Sequence, residues 1–386
     1  MTNYQDIVDF IKSLYPDQNP VPLHAPVFLG NEKKFLLDCI DSTFVSYVGK
    51  YVTQFEEITA SYTGSKYAVA IVNGTAALQI ALQIAGVEHG DEVITQPLTF
   101  VATANAISHC GAKPVFIDVD LDTMGMSPDK LEDWLKQNTK PSKLTQPFSK
   151  PINTSTNQPI SAIVPMHTFG FPCRINEIIE VANKYNIPVI EDAAESLGSS
   201  VSGRHTGTFG LAGILSYNGN KTITTGGGGM IITDNEEFAK KARHLSTTAK
   251  VPHRWEYVHD ETAFNYRLTN VNAAIGVAQM ENLSLILENK RQTALEYKNF
   301  FSTSALNFMN EPKNTISNYW LNCVQLKDRG ERDKFLEITN SNGIMTRPIW
   351  CLMNKLEMYK NCQTGNLDNS EWFEERVVNI PSGVRV

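Results

Sequence analysis

The sequence predicts an α/β protein built around a mainly parallel central sheet that helices cover on both faces. Two observations carry this prediction. Short apolar runs typical of buried strands recur between residues 67 and 233. The stretches between them space their apolar residues as amphipathic helices do. Strands that alternate with helices pair in parallel, because each helical crossover returns the chain to the same end of the sheet.

The first elements alternate without interruption. The apolar run 67–73, YAVAIVN, predicts a strand, and GTAALQIALQIAG directly after it predicts a helix. Strands at 92–96 and 114–118 follow, with a further helix between them. The next helix begins near Ser127-Pro128, because serine is a preferred N-cap residue and proline suits the first helical position.

The same alternation returns after residue 160. Strands are predicted at 161–165 and 188–191, with a helix at 175–185 between them. Two more apolar runs, AGILSYN and MIIT, predict strands on either side of a glycine-rich segment. These elements extend the same α/β body.

Two longer segments complete the chain. Residues 137–160 are rich in Thr, Ser, Pro, Asn and Lys and lack an apolar period, so they predict a long surface loop. Residues 271–300 form the longest helical pattern and link the body to a smaller C-terminal α+β unit. We therefore predict an N-terminal segment with a large α/β domain at residues 1–270, and a linking helix with a small α+β domain at residues 271–386.

Composition and charge exclude several classes of protein. The 386 residues carry a formal net charge of −7, which argues against broad nucleic-acid binding. The six cysteines are scattered without a CxxC pair, which predicts reduced thiols and no metal site. The first residues lack the apolar core of a secretion signal, and no apolar run approaches the ~20 residues of a membrane span. We expect a soluble, cytoplasmic protein with no membrane partner.

A candidate anion site lies in VNGTAAL, residues 72–78, where a predicted strand is followed by a helix. Free backbone N–H groups and the positive end of the helix dipole attract an anion at such a helix start. Gly74 lets the backbone approach the anion closely, and Thr75 adds a hydroxyl donor. Many turns of this kind contain Gly-Thr only to cap the helix, so the motif is weak evidence by itself.

Two acids follow a buried strand in VIEDAAESLGS, residues 189–199. Ligands of open α/β sheets bind at the edge where the strands end. Glu191 and Asp192 are therefore candidates for contact with a positively charged group of a ligand. An acidic helix N-cap is an equally good interpretation of the acids alone.

The most informative segment is SYNGNKTITTGGGGMIIT, residues 216–233. Lys221 lies between a predicted strand and a run of four glycines, where the backbone can approach a bulky ligand. A catalytic amine must lose its proton to attack a carbonyl, so it needs a pocket or cationic neighbours. Most lysines are solvated surface residues, but the apolar and glycine-rich surroundings favour a functional role here.

These three segments, in this order, resemble the DegT/StrS family of sugar aminotransferases, and the resemblance covers residues 20 to 380. Further matches are FVSYVGKYVTQFEE (44–57), ITQPLTFVATANAI (94–107) and NYRLTNVNAAIGVAQM (265–280). The resemblance implies the aspartate-aminotransferase fold (PLP fold type I) and pyridoxal 5'-phosphate (PLP) as cofactor. It also implies a homodimer with active sites at the subunit interface.

The resemblance implies a role for individual residues. Lys221 would form a Schiff base with PLP and carry a proton between the substrate and cofactor carbons. Asp192 would pair with the ring nitrogen, and Glu195, where many relatives have Gln, would contact the ring hydroxyl. Phe100 would stack on the ring. The implied phosphate-binding residues are Gly74, Thr75 and Ser216 of one subunit and Asn265 of the other.

Three further residues are candidates for substrate binding. His167 follows a predicted strand, although a hydrogen-bonded packing role is the stronger interpretation of an isolated histidine. Arg347 and Trp350 suit the nucleotide or its diphosphate, because arginine binds phosphate through two hydrogen bonds. Apart from these three, Asn354 departs from the family, because it stands where relatives often carry a histidine that contacts the sugar, and we therefore expect the sugar side of the pocket to differ here.

Within the family, residues 20–32, the TTGGGG run and RPIW (347–350) are most similar to the aminotransferases of bacillosamine and legionaminic-acid synthesis. This resemblance predicts amino transfer from L-glutamate to C4 of a UDP-4-keto-6-deoxy-N-acetylhexosamine. The product would be an equatorial amine that serves bacterial surface-glycan synthesis. A GDP-linked, dTDP-linked or 3-keto sugar is the alternative substrate.

The sequence disagrees with three other functions. A sugar 3-dehydratase of the same family replaces the Schiff-base lysine with histidine, whereas this chain keeps Lys221. A non-catalytic, PLP-binding regulatory protein would show a gap among the lysine, the aspartate and the phosphate-binding groups, and there is none. A NAD-binding Rossmann enzyme needs GxGxxG after an early strand, which VNGTAALQ does not supply.

Overall fold

The computed structural model of the protein describes residues 4–141 and 150–385. Within these residues the chain forms twelve α-helices, which are α1 Tyr4–Leu14, α2 Glu32–Asp41, α3 Lys50–Thr63, α4 Gly74–Ile84, α5 Val101–His109, α6 Pro128–Asn138, α7 Ile175–Lys184, α8 Glu236–Ser246, α9 Asn270–Glu281, α10 Leu283–Phe301, α11 Arg329–Ser341 and α12 Asp368–Glu374. Two 3-10 turns lie at Thr168–Gly170 and Met353–Lys355. None of these helices is long and apolar enough to cross a lipid bilayer.

The strands of the same residues are short. In chain order they are β1 Tyr67–Ile71, β2 Glu92–Thr95, β3 Lys113–Phe116, β4 Thr139–Lys140, β5 Ile152–Asn153, β6 Ile160–Val164, β7 Ile190–Asp192, β8 Ser200–Val201, β9 Arg204–His205, β10 Ala212–Ser216, β11 Gly229–Thr233, β12 Lys250–Val251, β13 Val258–His259, β14 Asn307–Phe308, β15 Thr315–Ile316, β16 Asn322–Gln325, β17 Arg347–Pro348 and β18 Val377–Ile380.

Seven strands form one central sheet in the order β1-β11-β10-β7-β6-β2-β3. Parallel bridges between Ile163 and Val189 and between Met166 and Asp192 join its two halves at β7 and β6. Six of the seven strands run in one direction, and β11 alone runs against them. The predicted mainly parallel sheet is confirmed.

Helices cover both faces of the central sheet. Along β1, Val69 and Ile71 pack towards α4 and α8, whereas Ala68 and Ala70 pack towards α3 and α9. Neighbouring residues of a strand point to opposite faces, so each face receives every second side chain. Because both faces are buried, the strand carries apolar residues throughout, as the run YAVAIVN predicted.

A second, antiparallel sheet has the order β14-β16-β18-β17 and forms the C-terminal unit. Helices α10 and α11 pack on it, and α1 joins the same core through Ile7, Val8 and Ile11. The rings of Tyr4 and Phe335 meet edge to face at 5.4 Å. The predicted small α+β unit is confirmed, and its boundary at residue 270 stays a prediction.

The prediction of a surface loop at residues 137–160 is wrong in part, and residues 142–149 lie outside the described residues. Helix α6 continues to Asn138, and β4 and β5 then pair as a short antiparallel hairpin. Asn153 on β5 is fully buried, and its amide donates to Glu92 Oε2 and to Gln363 Oε1, each at 2.6 Å. These partners come from distant segments, so the composition of the stretch does not reveal them.

The single helical pattern predicted at residues 271–300 is divided into α9 and α10 at Asn282. Asn282 has φ −108° and ψ 4°, and its Nδ2 donates to the carbonyl of Ala278 at 3.2 Å. An asparagine that bonds to a nearby backbone carbonyl competes with the helical pattern and ends the helix. Helix α9 packs on the central sheet together with the start of α10, at Leu283 and Ile286, while the later part of α10 belongs to the C-terminal core.

Candidate active site

A cavity of about 650 Å³ opens where the strands of the central sheet end and the C-terminal unit begins. Parallel strands end at one edge of a sheet, so β1, β7 and β10 all lead towards this cavity. Strand β11 runs the other way and therefore begins at the same edge, with Gly229 opposite Ser216. Segments far apart in the sequence meet here.

The turn from β1 to α4 forms one end of the cavity. Asn73 caps α4, and its Oδ1 accepts the N–H of Ala76 at 2.8 Å. The first N–H groups of a helix have no partner within the helix, so this turn offers donors to an anion. Gly74 lies so close to Ser216 that a Cβ at Gly74 would be 3.3 Å from the Ser216 Cβ. Gly74, Thr75 and Ser216, the predicted phosphate residues, thus line one cavity.

Asp192 is the last residue of β7 and lines the cavity. Its Oδ2 accepts the hydroxyl of Thr103 at 2.6 Å, and its Oδ1 accepts the N–H of Ala194 at 3.1 Å. The side chain is 5% exposed. Two donors on different segments therefore hold this carboxylate in one orientation at the edge of the sheet.

The adjacent acid, Glu191, faces the other side of the sheet, as alternate residues of a strand do. Its carboxylate is fully buried and accepts three backbone N–H groups, from Gly207 at 2.8 Å, Phe209 at 2.6 Å and Gly210 at 2.7 Å. These bonds fix the turn before β10. Glu191 is thus a structural residue, and Asp192 is the acid that reaches the cavity.

The amine of Lys221 lies between a carboxylate and an aromatic ring. Its Nζ is 3.3 Å from Glu195 Oε1 and 4.0 Å from the centre of the Trp320 ring, and the side chain is 12% exposed. The Trp320 indole N–H donates to the carbonyl of Asn220 at 2.7 Å, which fixes the ring beside the loop of Lys221. The amine is therefore held by contacts from both the central sheet and the C-terminal unit.

Glu195 is almost fully buried, and its Oε2 accepts the N–H of Phe169 at 2.9 Å. Burial raises the pKa of this carboxyl to about 7; Lys221 and the N–H of Phe169 oppose the rise, and the charge of Asp192 adds to it. Phe169 has a φ of 56°, in the left-handed region that strains a residue with a side chain. Glu195 thus both stabilises this turn and can exchange a proton beside the amine near neutral pH.

Aromatic residues and one arginine form the outer part of the cavity. The ring of Phe100, directly before α5, lies 6.1 Å from Trp350, which in turn lies 4.7 Å from Phe169. Arg347 lines the same region, and its guanidinium donates to Asn340 Oδ1 at 3.0 Å. The predicted residues Phe100, Arg347 and Trp350 therefore all line this cavity.

Two residues of the sequence prediction lie outside this cavity. His167 is fully buried, its Nε2 lies 3.0 Å from Glu191 Oε2, and its Nδ1 accepts the N–H of Cys173 at 3.2 Å. These contacts fit the packing role, and the structure does not bring His167 to the cavity. Asn265 is exposed, pairs with Thr247 and does not line this cavity of its own chain.

Sequence reasoning missed Thr103, Asn73 and Trp320. Thr103 follows Phe100 by three residues, a helical spacing that places both side chains near one end of α5. Asn73 is a preferred N-cap residue directly before the Gly-Thr turn, so its role could have been predicted. Trp320 reaches the cavity from a distant segment, and no local signal reveals it.

Comparison with known proteins adds independent findings. Residues 29–386 match the model of the DegT/DnrJ/EryC1/StrS aminotransferase family. The chain is 35% identical over 339 residues to the GDP-perosamine synthase of Escherichia coli O157:H7, with 88% of this chain and 87% of that protein covered. It is 36% identical over 368 residues to EpsN of Bacillus subtilis (strain 168), with 94% and 90% covered, and the name of that protein describes a pyridoxal phosphate-dependent aminotransferase.

A solved structure is similar over nearly the whole chain. The crystal structure of the aminotransferase TlmJ from Streptoalloteichus hindustanus aligns with a TM-score of 0.82 at 26% identity. The alignment covers 94% of this chain and 93% of that chain. Both the central sheet and the C-terminal unit therefore take part in the similarity.

Proposed function

Because this chain belongs to the DegT/DnrJ/EryC1/StrS aminotransferase family, we propose that it transfers an amino group from L-glutamate to C4 of a GDP-linked 4-keto-6-deoxyhexose. It is a PLP-dependent sugar aminotransferase. The observation that carries the proposal is the Lys221 amine, 3.3 Å from a buried carboxyl in a cavity that Asp192 and the start of α4 also line. The GDP-linked substrate is preferred to the UDP-linked one because GDP-perosamine synthases are among the relatives.

The residues of the cavity fit PLP. The start of α4 and the hydroxyl of Ser216 offer donors to a phosphate. Asp192 offers a carboxylate, already oriented by two donors, to a protonated ring nitrogen. Lys221 offers a primary amine, and Phe100 offers an aromatic face that is 48% exposed. We assign these residues as the PLP site.

When bound, PLP supplies a carbonyl carbon that carries the amino group and a ring that withdraws electrons from it. We assign Lys221 Nζ as the general base and acid that would carry a proton between the substrate carbon and the cofactor carbon. Glu195, with its pKa near 7, accepts or returns a proton beside that amine. Asp192 would keep the ring nitrogen protonated and positively charged. An ionised carboxylate can only accept a hydrogen bond, so the nitrogen beside it must carry the proton.

A UDP-linked 4-keto-6-deoxy-N-acetylhexosamine, aminated to an equatorial amine, is the second candidate substrate. It is favoured by the similarity of residues 20–32, 226–229 and 347–350 to the aminotransferases of bacillosamine and legionaminic-acid synthesis. The last of these segments includes Arg347 and Trp350, which line the cavity. The choice between the two nucleotides therefore depends on the outer part of the site.

We also propose that two copies of the chain form a homodimer with shared active sites. Large exposed apolar patches on soluble proteins mark interaction surfaces. Between residues 28 and 48 the chain exposes eight large apolar side chains, which are those of Phe28, Leu29, Leu37, Ile40, Phe44, Val45, Tyr47 and Val48. Asn265, exposed and away from its own cavity, is available to the phosphate of the partner subunit.

The substrate is tested by incubating the PLP-loaded enzyme and L-glutamate with GDP-4-keto-6-deoxymannose, UDP-4-keto-6-deoxy-N-acetylglucosamine and dTDP-4-keto-6-deoxyglucose. Products are identified by mass spectrometry and NMR, and kcat/KM is measured for each sugar. We expect the highest kcat/KM with the GDP-linked sugar. A clear preference for the UDP-linked sugar supports the second candidate, and a preference for the dTDP-linked sugar contradicts both. A Lys221→Ala variant, which lacks the amine, is the negative control.

A further inference from the structure

Asn379 is a buried amide that lines the cavity without a hydrogen-bond partner for its oxygen. It lies on β18, in the middle of the C-terminal sheet, and its side chain is 3% exposed. Its Oδ1 is buried and accepts no hydrogen bond from the described residues. The residue lies in the wall of the same cavity as Lys221.

An unpaired buried oxygen of this kind is unfavourable, because buried polar groups in proteins nearly always have a partner. The buried oxygens of Asn322 and Asn354 also lack a partner among the described residues, but neither residue lines the cavity. Other buried amides are fully bonded. Asn318, which is 1% exposed, donates to the carbonyls of Glu195 and Leu197, each at 2.9 Å. Asn379 differs from Asn318 in that it lines the cavity and its oxygen has no partner among the described residues. A ligand that donates a hydrogen bond to Asn379 Oδ1 would therefore supply the partner that this oxygen lacks.

The position of Asn379 separates it from the assigned PLP residues. Those residues come from the edge of the central sheet, whereas Asn379 lies in the C-terminal sheet. Its register partner on β17 is Arg347, and directly opposite residues of antiparallel strands share one face of the sheet. Arg347 and Asn379 therefore form part of one wall of the cavity, which the C-terminal sheet supplies.

We propose that the Asn379 amide recognises a polar substituent on the sugar of the nucleotide-linked substrate. Its Oδ1 accepts a hydrogen bond from a ring hydroxyl or from the N–H of an acetamido group, and its Nδ2 donates to an oxygen of the ring substituents. L-Glutamate fits this role less well, because its carboxylates can accept from Nδ2 but cannot donate to the unpaired Oδ1. This inference rests on the proposed function, but not on the identity of the nucleotide.

The inference is tested with Asn379→Leu, which has a similar volume without polar atoms, and with Asn379→Ser, which keeps a small acceptor. Three quantities are measured for each PLP-loaded variant. The first is the rate at which L-glutamate bleaches the visible absorbance of the bound cofactor, which reports the donor half-reaction alone. The second is the dissociation constant, by calorimetry, of GDP, UDP and the amino-sugar product that the wild-type enzyme makes best. The third is kcat/KM for the corresponding keto sugar.

We expect Asn379→Leu to weaken binding of the amino-sugar product about ten- to hundredfold, and to lower kcat/KM for the keto sugar by a similar factor. Asn379→Ser should lie between Asn379→Leu and the wild type. The bleaching rate with L-glutamate and the dissociation constants of GDP and UDP should stay within about twofold of the wild type. Asn322→Leu is the matched control, because Asn322 is a buried amide on the adjacent strand β16 that does not line the cavity.

Several results would overturn the inference. An equal loss in the L-glutamate half-reaction would assign the amide to the amino donor, and weaker binding of free GDP or UDP would assign it to the nucleotide. Unchanged product binding in Asn379→Leu would make the residue purely structural. A melting temperature and cofactor spectrum equal to the wild type verify that each variant folds. If the enzyme prefers the UDP-linked sugar, the proposed nucleotide fails while the Asn379 comparison remains valid on that sugar.

Discussion

The carboxylate of Asp192 is held in one orientation by two hydrogen bonds. Thr103 and Ala194 occupy two of its acceptor positions, at 2.6 and 3.1 Å. We expect Asp192→Asn to retain the fold and bind PLP, but to slow the proton-transfer half-reaction about 10²- to 10⁴-fold, because a neutral amide no longer keeps the ring nitrogen protonated. Stopped-flow absorbance with excess L-glutamate measures this rate. Thr103→Val, which keeps the charge, should reduce the rate far less, and equal losses in both variants would contradict the assignment.

Glu195 should make the stability of the cofactor-free protein depend on pH. Its carboxyl has a folded-state pKa of about 7, above the ordinary value of 4.5. A group whose pKa is higher in the folded state binds more protons there, so its contribution to stability is present below pH 4.5 and is lost as the pH rises through 7. We expect Glu195→Gln, which cannot ionise, to lack this loss and to gain roughly 3 kcal/mol relative to the wild type between pH 4.5 and pH 8.

The measurement is urea denaturation of both proteins at a series of pH values. The Gln side chain keeps an oxygen for the N–H of Phe169, so the strained turn at that residue should persist. A stability difference between the two proteins that does not change with pH would contradict the raised pKa of Glu195.

The residues that approach Lys221 were only partly predictable from the sequence. Gly74 begins the helix that follows β1, Asp192 ends β7, and Lys221 lies between β10 and β11, and that local context is visible in the chain. Trp320 and Asn379 are different, because they reach the cavity through the pairing of strands in the C-terminal sheet and the packing of that sheet on the body. Such contacts depend on tertiary structure, and a single sequence does not encode them in any local pattern.

At the scale of elements, the position of α4 depends on Gly229, the first residue of β11. A Cβ at this position would lie 2.5 Å from the backbone carbon and oxygen of Asn73, which caps α4. We expect Gly229→Ala to displace the start of α4, to weaken PLP binding at least tenfold and to lower stability by about 1–3 kcal/mol. PLP titration followed by absorbance, together with urea denaturation, measures both effects.

The same glycine run supplies the control. A Cβ at Gly227 would meet its nearest atom, the Val72 carbonyl oxygen, only at 4.0 Å. Gly227→Ala should therefore change neither PLP affinity nor stability appreciably. If the two alanine variants behave alike, the close approach at Gly229 does not position the helix.

Most elements followed from the sequence because their signals are local. The helix predicted to begin at Ser127-Pro128 begins at Pro128, with Ser127 as the cap. The break at Asn282 was missed because asparagine inside a helical pattern is a weaker signal than glycine or proline. The hairpin of β4 and β5 was missed because Asn153 is buried by partners that lie elsewhere in the chain.

At the scale of the whole molecule, the proposed homodimer predicts that inactive chains can complement each other. Lys221→Ala removes the amine of one site, and Asn265→Ala removes the predicted phosphate contact with the partner. In a mixed dimer, one of the two sites retains both Lys221 and Asn265. Each mixed dimer should thus recover about a half of the wild-type activity, because one of its two sites is intact. Random pairing makes about half of the dimers mixed, so the co-refolded mixture should recover about a quarter.

Activity of the mixture is compared with that of each variant alone, and the mass of the complex is measured by light scattering. A mixture no more active than the variants alone would contradict shared sites. A monomer with full activity would contradict the dimer itself.

The sequence predicted the strand content and direction of the sheet, but not the spatial order of its seven strands, because that order depends on packing across the whole body.

Because β11 runs antiparallel to β10, the segment between these strands can be replaced by protein engineering. Parallel neighbours require a long crossover over a face of the sheet, whereas antiparallel neighbours can be joined at one edge. Residues 217–228, which include Lys221, leave the sheet at Ser216 and return to it at its register partner Gly229. The lysine segment is therefore a closed loop with adjacent ends, and it can be exchanged between relatives as a cassette without rerouting any other part of the backbone.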